Sequence, residues 1–329
     1  MLRPLNSSDI SAIVEIWNST CGPDLAITPR FVAYNTRPTT GVIQSGQIAL
    51  QDNQPVGLVL ASTLPNNPAV SSPQLGWIDA IAVLPDAQRL GVGSELLTAA
   101  EDWLRAQGCS RFRLGGSLKP FTPGLPIRLE TRFLSASSKS DVELGEKTGC
   151  PDSENFFRRR GYGGDQVDWD FASDLRDYVH RSYKVAATIR PAQPDDEPAM
   201  LDFFNREFPN RWRFEFQEFL NEQGQISNYQ LLVTDRVDGF ARLTFKDSER
   251  PIERFYMHRL PKPWGQLGPI GVSKDARGKG FGGALLDAAL NRLHEQGIRG
   301  CIIDWTSLAD FYGKFGFKPF RKYLMLMKS

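Results

Sequence analysis

The sequence predicts a mixed α/β chain built from two copies of one strand-and-helix unit. Two observations carry this. At 329 residues the chain exceeds the roughly 250–300 residues at which a single core stops growing. An apolar strand, a glycine turn and an amphipathic helix then occur twice, in the same order, 189 residues apart (Gly91 and Gly280). With 29 glycines and 22 prolines, both units should be rich in turns.

The elements follow in order. Leu2-Arg3-Pro4 with Asp9 recurs as Ile189-Arg190-Pro191 with Asp195-Asp196, at an offset of 187. Ile81-Ala82-Val83 and Ile270-Gly271-Val272 are the strands before the two turns. In the helices that follow, Leu96, Leu97, Ala100 and Leu104 match Leu285, Leu286, Ala289 and Leu293. That spacing lines one helical face. Gly108 and Gly297 read as the residues that end these helices. The next strands are Arg111–Leu114 and Cys301–Ile303. Phe156-Phe157 with Gly161-Tyr162 then resembles Phe311-Tyr312 with Gly316-Phe317, now at an offset of 155. The first copy therefore carries about 34 more residues, around 117–152, a Ser/Pro/Gly/Lys-rich stretch. A loop of that length reads as a surface loop or as a lid over a site. Val167–Phe171 reads as a further strand, with the junction near 176–188. The expected domains are 1–180 and 186–329.

Composition removes several classes of function. Lys+Arg 39 against Asp+Glu 38 leaves no field for nucleic acid or an anionic membrane. No run of 18 apolar residues exists, and the N-terminus is too polar for a signal peptide, so a cytoplasmic protein is expected. Cys21, Cys109, Cys150 and Cys301 are scattered, which fits a reducing compartment. His180, His258 and His294 form no zinc spacing, and no metal site is expected.

The turns read Gln88-Arg89-Leu90-Gly91-Val92-Gly93-Ser94 and Arg277-Gly278-Lys279-Gly280-Phe281-Gly282-Gly283. Glycines allow sharp turning and close approach of a ligand to the backbone. Amides at a helix start, helped by the helix dipole, suit a diphosphate. Packing alone is the plainer account of one copy; two copies in matched settings favour a ligand. Gly278, Gly280 and Gly283 also satisfy the dinucleotide fingerprint, with Asp304 placed 21 residues on. Three points oppose that reading. Five residues separate the strand from the glycines, the first copy lacks the third glycine, and only 25 residues follow Asp304. A phosphate-binding P-loop fails because Gly280, not Ser or Thr, follows Lys279.

These motifs resemble those of the GCN5-related N-acetyltransferase superfamily, and the resemblance covers nearly the whole chain as a tandem pair. The two-domain layout is similar to that of mycothiol synthase-type tandem acetyltransferases. The resemblance implies acetyl-CoA as co-substrate and a motif strand that splays from its neighbour. It implies that Ile81, Ala82, Val83, Ile270, Gly271 and Val272 bond the pantetheine arm. Gln88, Arg89, Leu90, Gly91, Val92, Gly93 and Ser94, with Arg277, Gly278, Lys279, Gly280, Phe281, Gly282 and Gly283, would hold the diphosphate. Tyr312 stands where relatives keep a proton donor, and Phe157, at the matching place in the first copy, has no proton to give. The second domain is therefore expected to be catalytic and the first degenerate.

The general base is less defined. Relatives often carry an acid on the motif strand; the first copy has Asp79 there and the second has Gly268. Asp304, or a water chain, is the candidate in the second. Trp305 replaces an Asn common in relatives. The aromatic and basic stretch Phe203–Phe216, with Arg254, Arg259, Lys262 and Trp264, lies where relatives bind the acceptor, although a helix core face with solvated charges is the plainer account. The expected partner is a small-molecule amine acceptor, with no nucleic acid or membrane partner, and the chain is expected to be a monomer or homodimer. Acetylation of a protein or peptide amine, or a non-catalytic CoA-binding module, are the competing readings.

Overall fold

A computed structural model describes residues 1–127, 151–255 and 260–329. Most of the inserted stretch, Cys150, His258 and Arg259 lie outside the described residues, as does the Arg254 side chain. The chain divides into two compact units, Met1–Asp170 with Pro319–Ser329, and Phe171–Lys318.

In the first unit, β1 (Leu2–Pro4), α1 (Ile10–Cys21) and α2 (Pro29–Thr36) precede β2 (Ile43–Gln51), β3 (Gln54–Thr63) and β4 (Leu75–Val83). Then come α3 (Val92–Ala106), β5 (Arg111–Leu114), β6 (Leu125–Ile127), α4 (Pro151–Arg158) and β7 (Val167–Asp174), the last crossing the border of the units. The second unit continues with β8 (Thr188–Pro191), α5 (Glu197–Glu207), α6 (Arg211–Asn221), β9 (Tyr229–Val233) and β10 (Val237–Thr244). It closes with β11 (Trp264–Val272), α7 (Phe281–Glu295), β12 (Gly300–Thr306) and α8 (Ala309–Gly313). β13 (Lys318–Leu324) and β14 (Met327–Lys328) end the chain.

The first unit's sheet runs β1-β2-β3-β4-β5-β14, and the second unit contributes the order β12-β11-β10-β9-β8. In both, one central pair is parallel, β4 with β5 and β11 with β12, and the flanking pairs are antiparallel. The helical face read from the sequence is the buried one. Leu96, Leu97 and Leu104 on α3 and Leu285, Leu286 and Leu293 on α7 are at most 2% exposed. Gly108 and Gly297 end these helices at φ +86 and +77, a left-handed geometry that glycine adopts without a Cβ penalty. The repeated Arg-Pro segments also have one cause. Arg3 grips Asp9 at 2.8 and 2.6 Å, and Arg190 grips Asp196 at 2.6 and 2.8 Å. Each pair ties a first strand to the start of a helix, so this repeat is structural.

The compact units depart from the linear 1–180 and 186–329 division at two places: residues 171–180 fall in the second unit, and Pro319–Ser329 falls in the first. β14 pairs with β5, Met327 opposite Arg113, and β13 pairs with β6, Lys322 opposite Ile127. Leu324 and Leu326 enter the first unit's core. Arg321 lies in an ion pair with Asp170 at 3.0 Å, both side chains 3% exposed. Such pairing between distant segments leaves no mark in a local sequence pattern. Among the described residues no helix is long and apolar enough to cross a membrane.

Candidate active site

The parallel register stops at Ile78 opposite Leu114 in the first unit and at Gln266 opposite Ile302 in the second. The antiparallel pairing on the other side continues to Val83 and Val272. Ile81, Ala82, Val83, Ile270, Gly271 and Val272 therefore all lie on the splayed ends of β4 and β11. Gly271 has a packing reason as well, since a Cβ there would stand 2.7 Å from the Phe208 ring.

Both turns adopt one backbone shape. Arg89 and Gly91 have φ +63 and +92, and Gly278 and Gly280 have φ +76 and +80. Left-handed residues separated by one other make a concave run of amides that suits an anion. A Cβ on Gly278 would meet nothing within 4 Å, so the turn's outer face is open. Val92 and Phe281 begin the helices. Gly93 faces Phe156 and Gly282 faces Phe311, with 3.5 and 3.8 Å to a Cβ built on each. Gln88 donates to the Val83 carbonyl at 2.9 Å, closing the first turn. Arg160 donates to Ser94 Oγ and lies over Phe156 at 3.7 Å, placing a guanidinium beside that turn. Leu90, Arg277 and Lys279 are exposed.

Gly283, the third glycine of the dinucleotide-like pattern, has its own explanation. A Cβ there would stand 3.4 Å from the Tyr183 ring. The segment carrying Tyr183 is fastened to α7 by buried Asp287, which accepts from Arg181 N at 3.1 Å and meets His180 Nδ1 at 2.8 Å. Tyr178 also donates its hydroxyl to Asp287.

A β-bulge marks the place where the strands part in each unit. Leu60 faces Ala80 and Ala61 faces Ile78, so Asp79 is the extra residue. In the second unit Ala241 faces Ile270 and Leu243 faces Leu267, which puts Gly268 and Pro269 at the bulge. The acids are exchanged between strands. Asp79 sits on the bulge and Gly115 at the end of β5, whereas Gly268 sits on the bulge and Asp304 near the end of β12. A Cβ on Gly115, at φ +63, would lie 2.4 Å from the Thr122 carbonyl, so no acid fits there. A Cβ on Gly268 would lie 3.6 Å from Asp304 Oδ1. The Asp304 carboxylate thus reaches the neighbourhood that a side chain on the bulge would enter.

Tyr312 is 4% exposed and packs on Phe171, Phe311 and Phe317 with centroids 5.1 to 6.2 Å apart. Burial, then the Asp304 charge, pushes its phenol up to about 12, against a hydrogen bond with Thr306. The two named candidates, Tyr312 and Asp304, are thus within electrostatic reach. Trp305 has φ +50, and the Arg211 guanidinium covers its ring at 4.6 Å. Of the aromatic stretch, Phe203, Phe204 and Phe216 are core, whereas Arg211 lies over the Trp305 ring, next in sequence to Asp304. The sequence motifs did not point to Gln266, which touches Asp304, or to Thr244 and Arg250, which touch Gln266. A wholly buried Gln in the otherwise apolar β11 was the available signal.

In the first unit, Asp79, Ile81, Leu114 and Phe157 line a pocket with Trp17, Cys21 and Leu125. Asp79 is 1% exposed and accepts from Gln44 at 3.0 Å and Ser62 at 2.9 Å. Burial pushes its carboxyl up to about 6, against hydrogen bonds from Ser117, Gln44 and Ser62 and the charge of Lys119. An acid raised in the folded chain is harder to ionise there than in the unfolded one. Its stabilising contribution is full below about pH 4 and is lost as pH rises through about 6. Asp79→Asn should therefore raise stability at pH 7.5 by up to about 3 kcal/mol and flatten the decline between pH 4 and 7. Urea unfolding across that range checks this, and an unchanged pH dependence would sink it.

The comparisons with known proteins agree with this geometry. The model of the acetyltransferase (GNAT) family matches residues 10–118 and 197–317. The chain belongs to that family, twice over, and is an acetyl-CoA-dependent N-acetyltransferase. Aminoglycoside N(6')-acetyltransferase type 1 of Klebsiella aerogenes is 26% identical over 117 residues, covering 34% of this chain and 75% of that protein. Among solved structures, the glucosamine N-acetyltransferase region of a fungal multi-domain GH3 β-N-acetylglucosaminidase matches 99% of this chain with TM-score 0.84 at 21% identity. This chain spans 38% of that protein's length. A tandem GNAT protein from the clavulanic acid biosynthesis pathway matches 99% of this chain and 97% of its own, with TM-score 0.67 at 13% identity.

Proposed function

We propose that the chain transfers the acetyl group of acetyl-CoA to a primary amine of a small molecule, by direct attack, in its second unit. The carrying observation is the placing of Asp304 near the end of β12, beside the point where β11 parts from it, within electrostatic reach of the buried Tyr312 phenol. The aminoglycoside relative supports an amino-sugar type of acceptor. When bound, acetyl-CoA supplies a polarised thioester carbonyl and a thiol leaving group. The amides of Arg277–Gly283 would hold its diphosphate, and the free edge of Ile270–Val272 its pantetheine arm.

Holding amine and thioester together supplies much of the rate. Asp304 takes the first proton of the substrate ammonium, freeing the attacking lone pair. Tyr312 gives its proton to the departing sulfur and regains one from the nitrogen. The phenol is a weak acid, but the burial that raises it also disfavours a thiolate in the same place. The first unit keeps the turn, with Phe157 in place of a phenol, and is read as a cofactor-binding partner.

The test is CoA-thiol release with kanamycin-type aminoglycosides, glucosamine, polyamines and peptides. Asp304→Asn should lower turnover by about 10²-fold or more, with Asp79→Asn much less affected. The reverse ranking would move catalysis to the first unit. Release with peptides alone would replace the small-molecule acceptor, and release with none would remove all of these acceptor classes.

A further inference from the structure

Gln266 lies on β11, is 0% exposed, and has no amide counterpart in the first unit, where Trp77 holds the matching place. Its Oε1 accepts from Thr244 Oγ1 at 2.7 Å and from Arg250 Nη2 at 2.8 Å. Its Nε2 donates to Asp304 Oδ1 at 2.8 Å and to the Gly268 carbonyl at 3.1 Å. A guanidinium has donors only, so only the oxygen end of the amide can face Arg250. The nitrogen end must then face Asp304. Arg250 itself is held by Thr244 Oγ1 at 2.9 Å and the Gly268 carbonyl at 3.2 Å.

We propose that Arg250 and Gln266 form a buried relay that positions Asp304, holding Oδ1 so that Oδ2 is presented to the acceptor amine. Both are positioning residues. The inference rests on the reading of Asp304 as the base.

The missing acid on the second unit's bulge now has a cause. A Cβ at position 268 would lie 2.8 Å from Gln266 Nε2, so the relay requires glycine there. The first unit holds its acid by a different glutamine on a different strand, Gln44 of β2. Moving the acid from the bulge to β12 therefore came with a new amide and an emptied bulge. Oδ2 of Asp304 accepts no hydrogen bond among the described residues. The charged or titratable groups there include the Tyr312 phenol, Arg250 behind Gln266, Arg211 over Trp305, and Glu215, which pairs with Arg211 at 2.6 Å and feels the Arg250 charge.

Gln266→Glu tests the relay without emptying the core. One Glu oxygen still accepts from Arg250 and Thr244, and the other faces Asp304. Two carboxylates that close resist joint ionisation, so the Asp304 pKa should rise by about one unit or more. Carboxyl carbon NMR of aspartate-labelled full-length protein, with Asp304→Asn to assign the resonance, reads this without any substrate. In CoA-thiol release with glucosamine or kanamycin, the pH of half-maximal kcat should rise in step. KM for acetyl-CoA should stay within about twofold. Arg250→Lys, which keeps a donor, should retain more kcat than Arg250→Met at equal folded fraction. An Asp304 titration identical in wild type and Gln266→Glu overturns the relay. An inactive Asp304→Asn beside it leaves the base reading standing, whereas a fully active Asp304→Asn removes that reading and the relay together.

Discussion

Tyr312→Phe is expected to lower kcat by about 10²-fold or more, the usual scale for losing a placed general acid, while acetyl-CoA affinity changes by less than about twofold. The phenylalanine ring keeps every apolar contact of the tyrosine, with Phe171, Phe311 and Phe317. What disappears is one O–H and its hydrogen bond with Thr306, about 1 kcal/mol of net stability. A large fall in kcat beside no more than that small loss of stability would thus report the lost proton. Because burial and Asp304 hold the phenol near 12, it stays protonated throughout the neutral range. The wild type should show no alkaline loss of activity from this group below about pH 10. Steady-state CoA-thiol release from pH 6 to 10, with calorimetry for acetyl-CoA, measures both. Wild-type turnover in Tyr312→Phe would remove Tyr312 from the chemistry.

Arg321→Met is expected to destabilise the first unit by about 3–5 kcal/mol, the cost of leaving a buried charge without its partner. Asp170 accepts from Arg321 Nε at 3.0 Å and from the Tyr323 hydroxyl at 2.8 Å. Arg321 also donates to the Asp24 carbonyl at 2.9 Å. With methionine at 321, Asp170 loses the guanidinium and keeps the Tyr323 donor, and the Asp24 carbonyl loses the Arg321 donor. Exchanging both partners, as Arg321→Met with Asp170→Leu, should recover a large part of the loss, since a pair of apolar residues can replace a buried ion pair at little cost. Removing Pro319–Ser329 altogether takes away β14, the Arg321 pair and the buried Leu324 and Leu326, and should unfold the first unit. Urea unfolding followed by tryptophan fluorescence reads all three; a shift under about 1 kcal/mol in Arg321→Met would show that the pair contributes little.

The repeat and much of the site were legible because their signals are local. Helical faces, the left-handed turn residues and the Arg-Pro-to-Asp ties each depend on residues a few positions apart. Tyr312 was singled out by its place before the Gly-Phe pair and Asp304 as an acid near a strand end, and the chemical roles of both are proposals. The aromatic stretch was harder, because Phe203, Phe204 and Phe216 are core while nearby Arg211 covers Trp305; spacing alone does not separate a packed ring from a site-facing one. The third glycine of the apparent dinucleotide fingerprint was ambiguous for a related reason, since Tyr183 lies a hundred positions away in sequence and against it in space.

By itself, the sequence determined that two α/β acetyltransferase units follow one another, that each has a cofactor-type turn, and that one copy has a phenol where the other has a phenylalanine. Tertiary structure alone decided three further matters: that the last strands complete the first unit's sheet, that Asp79 is sealed in a pocket, and that Gly268 makes room for the Gln266 amide beside Asp304. Local propensity and periodicity act over a few residues and are written in order along the chain. Strand pairing, burial and the facing of an amide are settled by segments far apart in the chain, as with Arg113 and Met327, and only folding brings those together.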